Sequence, residues 1–139
     1  MKRQLTTPRR ILKIRETLRK AAIGRALEAD ARVRSLEKQS SHLNGLRLTM
    51  FDNADCLAAQ SLAARMELGN RLLGAGEQVD RAVSDARQVL EEQDRQRIAA
   101  HMDRDVMRRF VDRKTAGLEQ ERDRRNAANL PFRRSRKPR

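Results

Sequence analysis

Residues able to do chemistry are few in this 139-residue chain, and none stands in a pattern that chemistry requires. His42 and His101 are each alone, without a second ligand at metal-binding spacing, so both are expected on exposed helix surface and no metal site is expected. Cys56 has no partner for an internal disulfide, which points to a reduced compartment and to a small residue near a helix start rather than a reactive thiol. Glu91, Glu92 and Asp94 are interleaved with arginines, as on a solvated helix face. No glycine loop cradles phosphate, and no nucleophile has a neighbouring base. The expectation is a protein that is not an enzyme and holds no cofactor.

The elements that carry these residues are written in apolar seams. Ile11, Ile14, Leu18, Ala22, Ala26, Ala29, Val33, Leu36, Ser40 and Leu43 follow one another at steps of three and four, averaging about 3.6, the period of a helix with one sticky stripe. Leu62, Met66, Gly69, Leu73, Gly76, Val79, Val83, Ala86 and Leu90 continue at about 3.5, close to the coiled-coil repeat. Charged residues make up 37% of the chain and aromatics 2%, with neither Trp nor Tyr, too little bulk for a globular core. A sustained three-four rhythm also argues against disorder of the whole chain. No stretch has the length of a membrane span or a secretory signal. The Arg-rich first 24 residues superficially fit a mitochondrial presequence, but the seam runs through them unbroken.

Turn and cap residues divide the seams. Thr7 before Pro8 predicts a helix start, and Asn44-Gly45 predicts its end. Phe51-Asp52-Asn53-Ala54-Asp55 offers caps for a second helix that ends before Pro131. The predicted fold class is all-α: an elongated antiparallel two-helix coiled-coil hairpin with a longer second helix. Its parts are a flexible N-terminus (1–7), helix one (8–44), a loop (45–53), helix two (54–128) and a flexible basic tail (130–139). Gly69 and Gly76 lie on the seam and read as close-packing positions rather than as a rival turn. A turn centred near residue 49 would put Ile11 beside Leu90. Everything after about residue 95 would then overhang by about 50 Å. On that overhang Ile98, Met102, Val106 and Phe110, all four apart, form a stripe without an internal partner, a candidate docking surface.

Charge sharpens the picture. Residues 1–40 carry net +8, residues 41–80 net −2 and residues 81–139 net +7. A hairpin gathers the two basic stretches toward one end, away from the acidic loop end. At +13 overall, nonspecific nucleic-acid association at low salt follows, but zinc frameworks, helix-turn-helix patterns and stacking aromatics are missing, so no specific nucleic acid is expected as partner. The charge map points to an acidic protein partner for Arg9, Arg10, Lys13, Arg108, Arg109 and Arg113.

From about residue 8 to 129 the chain resembles the flagellar export FliJ family and its relatives in virulence type III secretion. The likeness rests on a short first helix, a loop near one third of the length, and a second helix opening with Cys56-Leu57-Ala58-Ala59-Gln60-Ser61-Leu62. It extends through Met107-Arg108-Arg109-Phe110-Val111-Asp112-Arg113-Lys114 and Leu118-Glu119-Gln120-Glu121-Arg122-Asp123-Arg124-Arg125-Asn126. The resemblance implies a cytoplasmic, monomeric coiled coil peripherally associated with the inner-membrane export apparatus. It implies insertion of the terminal end into the hexameric export ATPase, with Arg9, Arg10, Lys13, Arg108, Arg109 and Arg113 as contacts. It implies that the cytoplasmic domain of the export gate binds Leu62, Met66, Gly69 and Leu73 beside Leu36, Ser40, Leu43 and Arg47, and that export chaperones are handled as well. The chain departs from many members in lacking aromatics in that row. The reading from the residues alone leaves a generic coiled-coil scaffold open beside the export role.

Overall fold

The computed structural model describes residues 2–52 and 59–129, and every one of these except Asn129 is helical. Two helices, α1 (Lys2–Asp52) and α2 (Ala59–Ala128), pack against each other as an all-α antiparallel hairpin. The chain divides into two compact units: unit 1, Met1–Arg19 with Ala100–Arg139, and unit 2, Lys20–Ala99.

Unit 2 holds most of the buried apolar surface. Ala22, Ala26, Ala29 and Val33 of α1 are buried, as are Val83 and Ala86 of α2. Alternating steps of three and four place these residues on one stripe of each helix, and the small alanines let the two backbones come close. Leu36, Ser40, Leu43 and Met50 continue the stripe of α1 at half-burial, and Gly69, Leu72, Gly76, Val79 and Leu90 that of α2. Polar contacts at its edges fix the register: the Ser40 hydroxyl donates to Asp80 Oδ1 (2.7 Å), and Arg87 Nη2 to Glu37 Oε1 (2.6 Å).

Unit 1 has a thinner core. Val111 and Pro8 are buried, while Leu5, Leu12, Ala100, Met107, Thr115 and Leu118 are half-buried. Between them lies a polar layer. Arg15 Nη1 donates to Asp103 Oδ2 (2.9 Å), Arg19 Nε donates to His101 Nδ1 (3.1 Å), and His101 Nε2 lies 3.3 Å from Asp105 Oδ2. Arg104 is held inward by Asp105 Oδ1 at 2.8 Å, and its Nε lies 3.9 Å from Glu16. These pairs put residues 15–19 against residues 101–105.

Four expectations are corrected. First, α1 begins at Lys2 rather than at residue 8, and Pro8 lies inside it, so residues 2–7 are helix and not a separate N-terminal segment. An interior proline costs about 3 kcal/mol, which the packing of Leu5 and Pro8 itself offsets. Second, α1 does not end at Asn44-Gly45: it runs on to Asp52 with no residue at positive φ. A helical glycine costs only about 1 kcal/mol, and Leu43 and Met50 on the packed stripe outweigh it. The predicted caps Asn53 to Asp55, residues 54–58 of helix two with Cys56, and the basic tail from residue 130 lie outside the described residues.

Third, the register moves. The cross-helix pairs are centred on residues 59–62, not 49. Ile11 therefore belongs to the unit that contains residues 100–139 and not beside Leu90, and residues 100–118 are packed rather than overhanging. Fourth, the stripes are rephased toward the N-terminus of α1 and along α2. Ile11, Ile14 and Leu18 are exposed, as are Leu62, Met66 and Leu73, while Leu12, Arg19 and Leu72 take the inward positions. Within unit 1 the buried and half-buried positions of α1 are Leu5, Pro8, Leu12, Glu16 and Arg19, at steps of three and four, so helical phase rather than the bulk of each neighbour decides which residues face inward.

Candidate protein-docking surfaces

Two exposed regions carry the residues that the sequence singles out. In unit 2, Arg47, Met66, Gly69, Asn70 and Leu73 line a shallow groove of about 270 Å³. Met66 is 63% exposed, Leu62 and Leu73 about half exposed, although all three are large and apolar. They flank the packed stripe instead of filling it. Gly69 lies on the stripe, and a row that alternates between stripe and flank presents its bulky members to solvent. Leu36 and Leu43 sit half-buried on the α1 stripe.

The structure thus brings Arg47 together with Met66, Gly69 and Leu73. It does not bring Ser40 there: Ser40 is bonded to Asp80, and Leu36 adjoins Glu37, whose partner is Arg87. Leu36 and Ser40 are placed against the 80–87 segment by the same register that abolishes the overhang. Gly76 was expected to permit close helix approach, yet a Cβ there would meet nothing within 4 Å.

In unit 1, Arg9, Arg10, Lys13, Arg108, Arg109 and Arg113 are all solvent-exposed and all fall in the one unit. Arg9 lines a groove with Leu5, Thr6, Thr115, Leu118, Glu119 and Arg122. Arg108 makes a long contact to Asp112 (4.0 Å), and Arg113 Nε donates to the carbonyl of Arg109 (3.3 Å). The division of charge is complete. Residues 1–19 and 100–139 carry 20 Lys or Arg against 7 Asp or Glu, the whole excess of +13, whereas residues 20–99 balance 12 against 12.

The polar layer of unit 1 was not anticipated from the sequence, which treated His101 as a solitary exposed residue. Its imidazole is half exposed, but Nδ1 accepts from Arg19, so the ring proton sits on Nε2 toward Asp105. The Arg104 hydrogen bond, aided by the positive charge of Arg104 and Arg109, holds the Asp105 carboxyl below its ordinary value of 3.8 against the opposing effect of desolvation. The spacing of Glu16 and Arg19 with Leu12, and of Ala100 and Arg104 with Met107, at steps of three and four, is the signal that could have located this layer. Among the described residues no cluster of His, Cys, Asp and Glu could hold a metal, and no helix is long and apolar enough to cross a membrane.

What the arrangement can do is bind. One region offers unsatisfied apolar side chains beside a neutral surface, the other a concentration of arginine forks suited to carboxylates. Comparison with known protein families, with curated proteins and with solved structures found no match.

Proposed function

We propose that this chain is a cytoplasmic, non-enzymatic, stalk-like coiled coil of the bacterial flagellar type III export apparatus, linking the hexameric export ATPase to the export gate and assisting chaperone and substrate handling. The observation that carries this reading is the separation of its two surfaces. The entire net charge of +13 belongs to unit 1, while the neutral unit 2 exposes Leu62, Met66 and Leu73. A linker between two different partners needs two chemically distinct contacts, and arginines steer toward an acidic ring while an apolar row seats in a groove. The resemblance to the FliJ family supplies the names of the partners, and the hairpin supports it at the level of fold.

The test uses the full chain with the purified export ATPase and the cytoplasmic domain of the gate. Replacing Arg9, Arg10, Lys13, Arg108, Arg109 and Arg113 by Gln should weaken ATPase binding and flatten its salt dependence, with helicity unchanged. Undiminished stimulation of the ATPase by this variant would remove the basic surface as the contact. No binding by the wild-type chain to either partner would remove the export reading.

A further inference from the structure

We infer that one flank of unit 1 is a docking site for an acidic amphipathic helix, formed by an apolar row that the hairpin leaves outside its own seam. The row is Ile11, Ile14 and Leu18 on α1 with Met102, Val106 and Phe110 on α2, all between 40% and 66% exposed. The phase of the unit 1 seam places Ile11, Leu18, Val106 and Phe110 on one side, and Ile14 and Met102, three or four residues along, lie beside them further from the seam. Ile11 and Leu18 each precede an inward residue of α1, and Phe110 and Val106 each precede one of α2, Val111 and Met107. In an antiparallel pair the flanks that precede the seam face each other. The contacts agree: Asp103, just before the inward Arg104, bonds Arg15, just before the half-buried Glu16, on this flank.

The chemistry of the surroundings selects the occupant. Arg10, Arg109 and Arg113 border the row and are exposed, within the unit that holds the whole charge excess. A second copy of the chain would bring like charges together over this surface, which costs association. Nucleic acid would use the arginines but leave six large apolar side chains in water, of which only Phe110 could stack on a base. A helix with a leucine stripe and glutamates at its borders satisfies both demands: the stripe covers the row and the carboxylates meet the arginine forks. The inference stands apart from the export reading, since it names a flank and a ligand chemistry without naming a cellular partner.

The test is a fluorescence anisotropy titration of the full chain, at about 0.15 M salt where surface charge alone is screened beyond about 8 Å. The probe is a synthetic helix of about 18 residues, about 27 Å long, with Leu on one stripe and Glu elsewhere. A control peptide has the same composition with its leucines scattered. The striped peptide should bind at least about tenfold more tightly than the control, and Ile14→Gln combined with Val106→Gln should remove about that tenfold advantage, as loss of apolar anchors does. Leu27→Gln combined with Leu48→Gln, exposed apolar positions of unit 2, should leave it intact. Both changed sites are solvent-exposed, and circular dichroism of each variant checks that the helices persist. Equal binding of the two peptides, unchanged affinity in the unit 1 variant, capture of the chain by phosphatidylglycerol vesicles in place of the peptide, or a dimerisation abolished by the same variant would each overturn the proposal.

Discussion

Val83 and Met66 are both apolar positions of α2, but the structure gives them opposite surroundings, and truncating each to Ala should separate packing from docking. Val83 is 7% exposed at the centre of the unit 2 seam. Its truncation removes two methyl groups at about 0.8 kcal/mol each, plus a cavity that two long helices relax only partly, for a loss of roughly 1.5–3 kcal/mol. Met66 retains most of its accessible surface in the hairpin, so only about a third of the usual 2–5 kcal/mol applies, and the better helix propensity of Ala offsets part of that. The expected loss for Met66→Ala is below about 1 kcal/mol. For a chain of this size about 1 kcal/mol shifts Tm by roughly 3–5 °C, so a drop of about 5–15 °C for Val83→Ala stands against about 5 °C or less for Met66→Ala. Thermal melts followed by circular dichroism measure both. In a titration against the gate's cytoplasmic domain the order should reverse, with Met66→Ala losing about tenfold in affinity and Val83→Ala, in its folded fraction, losing little. Equal melting losses would mean that Met66 is core and that the groove it lines with Arg47 and Leu73 is not open. A normal melt with unchanged gate affinity would remove this row from the docking surface.

Other expectations follow from single features. Gly74→Ala and Gly76→Ala should each stabilise the chain by about 0.5–1 kcal/mol, since both glycines are helical, neither has positive φ, and an added Cβ meets nothing within 4 Å; a lower Tm would show a contact on that face. With Cys56 replaced by Ser, cysteines at positions 40 and 80 should crosslink within one molecule and cysteines at 36 and 62 should not, as read on a denaturing gel; the reverse would restore a turn near residue 49. The Asp105 carboxyl titrates below 3.8, so its contribution to stability is present above that value and is lost as pH falls through the depressed one; carboxyl chemical shifts should show this, and Arg104→Gln should return the titration toward the ordinary range.

Helical class, pairing and the inventory of charge were legible in the residues themselves. A three-four apolar rhythm can be buried only against another helix, and the run of Ala22, Ala26, Ala29 and Val33 reaches the core as its spacing requires. Gathering of the basic residues into one unit follows from composition once the chain folds back on itself. The local signals that failed were those that tertiary packing overrides. Thr7-Pro8 and Asn44-Gly45 carry the chemistry of helix ends, but each costs or gains only a few kcal/mol, and Pro8, Leu43 and Met50 on the packed stripe extend α1 across both.

Register and phase belong to the pair of helices and not to either alone. A single helix has no means of stating where its partner lies, and a displaced register converts an expected overhang into the packed segment around Val111. Phase failed for a related reason. Ile11, Ile14 and Leu18 are large and apolar, yet within unit 1 the inward positions of α1 fall to Leu12, Glu16 and Arg19. The bulky row stays outside, and in unit 2 Met66 and Leu73 stay exposed beside their stripe, because phase is settled only when a partner helix packs.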